Sequence, residues 1–280
     1  MTFDIRSMTT EDIPQVYAMS QTLNWPHRHE DWAIGIELGE GVVIEDQGEV
    51  IGSAILWRWG DKAATIGLVI VANSHQGRGL GKQLMLALLE KVPGYNVRLH
   101  ATEMGKGLYE KLGFVACGKI LQYQTPSLTT LPRVAIPAGL TLRSATLDDR
   151  DALVNMDQAA HGLFRPALVA HLITDNQTVI LQDDEQRLKG FASLRRFGRG
   201  WVIGPVIAED FPVAQALSAA LMQGMKGEYL RMDTDAALPL APWLESLGLT
   251  NVDAPVTMVR GEVWVAQGMQ AFGLTTQAMA

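Results

Sequence analysis

Gly77, Gly79 and Gly81 alternate through a short stretch that also carries Gln76, Arg78 and Lys82. Glycines at this density let a ligand approach the backbone closely, and two cations stand among them. Apolar residues follow at helical spacing, Leu80, Leu84, Ala87 and Leu88, and Pro93-Gly94 supplies a stop signal. Upstream, residues 66–71 form an apolar, β-branched run, long enough for a buried strand and too short for a capped helix. A strand that runs through glycines into a helix N-terminus can hold an anion. The first N–H groups of the helix lack partners and its dipole favours negative charge. Spacing rules out two nucleotide motifs: no Gly-Lys-Ser/Thr follows, and alternating glycines do not make G-x-G-x-x-G. A glycine-rich turn capping a helix without any ligand uses the same residues, so the loop alone does not separate the two readings.

A second motif does. Gly107-Leu108-Tyr109-Glu110-Lys111-Leu112-Gly113-Phe114 follows a strand near residues 96–102. Together with the Q-x-x-G-x-G pattern of Gln76, Gly79 and Gly81, it resembles the GCN5-related N-acetyltransferase (GNAT) superfamily. The resemblance implies direct transfer of an acetyl group from acetyl-CoA to a primary amine, with a small molecule as the expected acceptor. The pyrophosphate would be gripped by backbone amides of Gln76, Gly77, Arg78, Gly79, Leu80, Gly81 and Lys82, Arg78 and Lys82 adding charge. The pantetheine arm would pair with Val69, Ile70 and Val71, where one N–H would polarise the thioester carbonyl. Tyr109 matches the tyrosine that the family places near the sulfur, as a general acid.

The acceptor side is less defined. The loop of residues 23–28 joins the first two predicted helices, and in the resembled fold it lies over the acceptor cleft. Trp25 and His27 are therefore candidate substrate contacts, although Trp25 could equally just pack the loop. Trp57 and Trp59 share one strand face and either line a pocket or, the favoured reading, cover the sheet. No Asp or Glu lies in residues 64–71, where some members of the family carry a base. Glu103, His27 or a water chain could take that role. Thr102 stands near the position of an asparagine that bonds pantetheine in many relatives, and it lacks the amide pair.

The elements that must position these groups occur twice. A strand near residues 3–6, a helix opened by Thr9 and Asp12, and a hairpin turning at residues 46–49 precede the central strand. Arg143 stands 137 positions after Arg6 in matching surroundings, Ala208 stands 136 after Ala72, and Gly248 stands 135 after Gly113. Three matches in order indicate an internal duplication. The copy is unequal: near residues 211–217 the glycines are gone, and Leu244 takes the place of Tyr109. The expected architecture is α/β (α+β), with two tandem GNAT-like domains, each a mixed, mostly antiparallel sheet flanked by helices. Residues 1–125 form the acetyl-CoA-binding domain, 126–139 a proline-bearing linker, 140–265 a degenerate copy and 266–280 a tail that adds an edge strand or is mobile.

Composition narrows the partners. The 280 residues carry a net charge of −7 with no basic run, which disfavours nucleic acid and weakly favours a cationic acceptor. No apolar run is long enough for a membrane span, and the N-terminus lacks a signal-peptide pattern. The single cysteine, Cys117, agrees with a reducing cytoplasm and reads as buried filler. The six histidines are scattered, and no metal site is expected. Two function classes follow: an N-acetyltransferase, favoured by the intact loop and Tyr109, or a non-catalytic acetyl-CoA sensor, for which the missing carboxylate leaves room.

Overall fold

The computed structural model describes residues 3–280. The first half runs β1 (Asp4–Ser7), α1 (Ile13–Thr22), α2 (His29–Leu38), β2 (Glu40–Asp46), β3 (Glu49–Trp59), β4 (Ala63–Val71), α3 (Leu80–Leu89), β5 (Asn96–Ala101), α4 (Glu103–Lys111) and β6 (Val115–Thr125). The second repeats the order with β7 (Leu140–Ser144), α5 (Arg150–His161), α6 (Pro166–Asp175), β8 (Gln177–Asp183), β9 (Leu188–Phe197), β10 (Gly200–Ala208), α7 (Phe211–Met222), β11 (Leu230–Asp235), α8 (Ala241–Ser246) and β12 (Thr250–Asp253). Two further strands, β13 (Val256–Arg260) and β14 (Gln270–Gly273), follow.

The duplication extends to hydrogen bonds. Asp12 closes a capping box on Thr9, its Oδ2 accepting from the Thr9 N–H at 2.8 Å, and both carboxylate oxygens take the Arg6 guanidinium at 2.9 and 2.7 Å. Asp149 does the same with Thr146 at 2.8 Å and Arg143 at 2.8 and 2.7 Å. Each box satisfies N–H groups that a helix start leaves open and contributes about 1 kcal/mol. The exposed guanidiniums add little beyond orientation.

In the first half, helices cover both faces of the sheet, so β3 is buried from Val50 to Trp57 rather than alternating. On one face, α3 lays Leu84, Met85 and Leu88 against Val42, Ile44, Leu56 and Ile66. On the other, Val16 of α1 and Trp32 of α2 meet Trp57, Trp59 and Leu68. That second cluster also holds Leu163, Leu168 and Leu172 from the other half and Met279 from the tail. Trp57 and Trp59 are therefore core: their indole N–H groups donate to the Gly35 carbonyl and the Thr65 hydroxyl, both at 2.9 Å.

The halves exchange strands. β13 lies between β5 and the start of β6, Met258 pairing with Leu99 on one side and Ala116 on the other. The end of β6 lies between β11 and β12, Tyr123 pairing with Met232 and Asn251. The fourteen strands of the described residues thus form one continuous sheet. The exchange crosses the sequence-based division at 125, since β13 of the second half pairs with β5 and β6, and β6 serves both halves. Residues 126–139 contain no helix or strand, and Leu128 among them is fully buried against the second core. Cys117 departs from the expectation of buried filler. It lies exposed on β6, its Sγ 3.6 Å from the Thr257 carbonyl.

Candidate active site

The central strand and its parallel neighbour separate after three pairs, Ala63–Asn96, Ala64–Val97 and Thr65–Arg98. Beyond them β4 bulges against β3, and Leu68 adopts φ +53°, a left-handed conformation that costs a side-chain-bearing residue of the order of 1 kcal/mol or more. The Leu68 carbonyl accepts from the Ser53 hydroxyl at 3.2 Å, which holds the bulge. Val69, Ile70 and Val71 lie on the diverging end of β4, past the last β5 pair.

At the mouth of this cleft the chain turns through Asn73–His75 into the glycine loop and α3. Gly77 and Gly79 both have φ +77°, and a Cβ built on either meets nothing within 4 Å. The backbone there faces open space, which suits the close approach of a phosphate to its N–H groups. The Gln76 side chain ties the loop down, its Nε2 donating to the Val71 carbonyl at 3.2 Å and Asn73 Oδ1 at 3.0 Å. Arg78 and Lys82 are exposed, and Leu80 is sunk in the core, so the backbone amide is what Leu80 can offer a ligand. Gly81 differs from the other two: a Cβ there would press on Leu108 at 3.2 Å. The diverging strands and the open glycine backbone leave room for a pyrophosphate with a pantetheine arm, which residues 76–82 and 69–71 could hold.

Between the halves lies a cavity of about 420 Å³, into which this cleft opens. Tyr109 reaches it from α4, its ring folded over Gly105, where a Cβ would stand 2.9 Å away. Burial pushes the Tyr109 hydroxyl up to about 12. Trp25 and His27 line the same cavity, while Glu103 does not. Burial pushes His27 down to about 4, and its Nδ1 has no hydrogen-bond partner among the described residues. Thr102 caps α4, its hydroxyl oxygen accepting from the Gly105 N–H at 3.3 Å.

The second half supplies what the sequence did not reveal. Phe197 meets the His27 ring edge-on at 5.3 Å, and Arg199 donates to the Asn24 carbonyl at 3.0 Å. Asp31 takes the Gly198 N–H at 2.9 Å, and Arg28 donates to the Arg196 carbonyl at 3.1 Å. The β9–β10 turn therefore clasps the loop carrying Trp25 and His27. Gln122, Gln124 and Asp253 add polar lining, as do Thr276 and Gln277 of the tail. Apart from Gln122 and Gln124 these residues lie far from Tyr109 in sequence, and no local motif marks any of them.

The corresponding cleft of the second half is filled. β10 and β11 separate after Trp201–Leu230 and Val202–Arg231, and β14 pairs with β10 in the gap through Val206, Ile207 and Ala208. The Leu274 N–H then reaches the Asp233 carbonyl of β11 at 2.9 Å. The tail is thus a strand bound inside the sheet rather than at its edge. Where the first half has its glycines, Asp210 caps α7 and Pro212 follows.

Among the described residues no group of three or more His, Cys, Asp or Glu could hold a metal ion, and no helix is long and apolar enough to cross a membrane.

Diverging parallel strands found twice in one chain, with a glycine loop at the mouth of the first pair alone, define a tandem acyltransferase fold. One acetyltransferase (GNAT) domain model matches residues 37–116 and another of that description matches residues 153–273, together more than two thirds of the chain. The uncharacterized N-acetyltransferase YitH of Bacillus subtilis is 28% identical over 83% of this chain and 82% of its own length. The holothin acyltransferase of a Pseudoalteromonas species is 24% identical over 76% of this chain and 72% of its own. Among solved structures, a putative acetyltransferase from Pyrococcus horikoshii superposes with a TM-score of 0.80 at 22% identity, covering 99% of this chain and 96% of that one. A tandem GNAT protein from the clavulanic acid biosynthesis pathway gives 0.64 at 14% identity, over 92% and 98%. The chain belongs to the GNAT superfamily in its tandem form, and it is an acyltransferase.

Proposed function

We propose that the protein transfers an acetyl group directly from acetyl-CoA to the primary amine of a small molecule, in the cytoplasm. The observation that carries this reading is a single cavity joining the open end of the β4–β5 cleft to Tyr109 and to the loop of Trp25 and His27. Acetyl-CoA brings an activated thioester. The N–H groups of residues 76–82 hold its pyrophosphate and those of residues 69–71 align its arm.

The side chains then divide the proton work. An alkyl ammonium with a pKa near ~10.4 must lose a proton before it attacks. His27 stays neutral at physiological pH, so it accepts a hydrogen bond from the ammonium without repelling it, and the proton itself passes to solvent water before the free amine attacks. Tyr109 stays protonated and points a donor at the leaving sulfur. An ordinary thiol has a pKa near ~8.5, so full proton transfer from a phenol this weakly acidic is uphill by roughly 5 kcal/mol. Tyr109 therefore works chiefly as a hydrogen-bond donor to developing charge, and solvent completes the protonation.

Enclosure by both halves supports a small acceptor, since the cavity holds a molecule of modest size. The test is thiol release from acetyl-CoA across a broad panel of small amines, with a lysine-bearing peptide for comparison. Tight acetyl-CoA binding without release for any amine would sink the proposal.

A further inference from the structure

The tail that closes the second half's cleft continues into the cavity and becomes one of its walls. Residues 274–280 are buried or half-buried throughout. Arg165, 1% exposed and held by Asp157 at 2.7 and 2.6 Å, donates to the Met279 carbonyl at 2.7 Å. His100 of β5 bonds the Ala280 carbonyl at 3.0 Å, Arg195 donates to the Thr275 carbonyl, and the Met279 N–H donates to the Thr276 hydroxyl oxygen at 3.0 Å. This wall is anchored from both halves.

From it Gln277 enters a directed chain of amides. Tyr229 donates its hydroxyl to Gln124 Oε1 at 2.6 Å, and Gln122 Nε2 donates to the same oxygen at 3.2 Å. Gln277 Nε2 in turn donates to Gln122 Oε1 at 3.2 Å. All three glutamines line the cavity. With one of its two amide N–H groups committed to the chain, Gln277 presents a carbonyl oxygen that receives no hydrogen bond among the described residues. An amide oxygen beside a polar cavity seeks a donor.

We propose that Gln277 is a specificity-determining residue of the acceptor site, its Oε1 accepting an N–H from the incoming amine. The inference rests on the acyl-transfer reading of the cavity, and it makes the tail part of the active site. Orientation follows from the chain: Gln122 and Gln124 fix the amide, so the oxygen is aimed before the amine arrives. Amines that can turn an N–H toward this oxygen while the lone pair faces the thioester are thereby preferred over those whose substituents prevent it.

The test uses the full-length protein and two substitutions. Gln277→Leu removes the acceptor oxygen at similar volume. Gln277→Glu keeps the length and adds negative charge. Coenzyme A affinity is measured by calorimetry and thiol release with the amine best used by the wild type. Gln277→Leu is expected to raise the amine KM about tenfold, as loss of one net hydrogen bond implies, with kcat and the coenzyme A Kd within about twofold. Gln277→Glu is expected to lower the KM of a cationic amine, an effect that fades at high salt. An unchanged amine KM in both variants overturns the proposal, as does loss of coenzyme A binding or of folding in both, which would make the role structural. If the wild type binds coenzyme A but acetylates no amine, the acyl-transfer reading fails and this inference falls with it.

Discussion

Gly67 on β4 and Ala278 in the tail lie so close that a Cβ on Gly67 would stand 2.7 Å from the Ala278 Cβ and 3.0 Å from its Cα. The missing side chain is what lets the tail cross the central strand and reach Tyr109's cavity. Gly67→Ala forces the backbone of the tail to move, at a cost of roughly 1–3 kcal/mol for overpacking. The expected result is a melting temperature lower by several degrees and faster proteolysis within residues 270–280. Wild-type values for both would mean the contact is loose.

Gly79→Val places a branched side chain in the space where a pyrophosphate would lie, at φ +77°. Nothing surrounds that position, so the cost to the fold is the strain of a branched residue at positive φ, of the order of 1 kcal/mol or more, while coenzyme A affinity falls by more than tenfold. Calorimetry with circular dichroism on the same sample separates the two effects. Gly81→Val is a poorer probe, since its side chain would also push on Leu108.

Coenzyme A should bind once per chain. β14 occupies the gap between β10 and β11, and residues 211–217 carry no glycine, so the second half lacks both the groove and the loop. Titration to a second site of similar affinity would contradict this.

Tyr109→Phe should slow single-turnover acetylation roughly 10²-fold or more, the lower end for removing a proton-donating group. The ring keeps its place over Gly105 and against Phe114, so coenzyme A affinity should hold within a few-fold. An unchanged single-turnover rate would leave Tyr109 a packed side chain.

Three buried histidines predict acid sensitivity. Burial pushes His27 to about 4, His100 to about 3 and His161 to about 4, whereas each returns to an ordinary value near ~6.5 on unfolding. Between these limits the unfolded chain holds more protons than the folded one, so stability falls as pH drops from about 6.5 to about 4. Each such proton contributes about 1.4 kcal/mol per pH unit. Urea midpoints measured from pH 8 to pH 4.5 should be flat above pH 7 and then decline steeply. His161→Gln and His100→Gln should each soften the decline.

Local chemistry made much of this protein legible in its sequence. Tyr109 was legible through the resemblance that its motif carries, while the glycine loop and the capping box of Thr9 depend on neighbours a few residues away, and spacing exposes them. The duplication was readable for the same reason, as Arg6 with Asp12 and Arg143 with Asp149 each form a unit within seven residues. Tertiary structure decided the rest. The exchange of β6 and β13, the docking of Met279 on Arg165 and of Ala280 on His100, and the meeting of His27 with Phe197 join segments more than a hundred positions apart. Backbone pairing in a sheet uses N–H and C=O groups that every non-proline residue carries, so side chains alone do not name the partner strand. Gln277 shows the consequence: an unremarkable residue in a weakly patterned tail comes to line the cavity between the halves only because β14 is drawn into the gap beside β10.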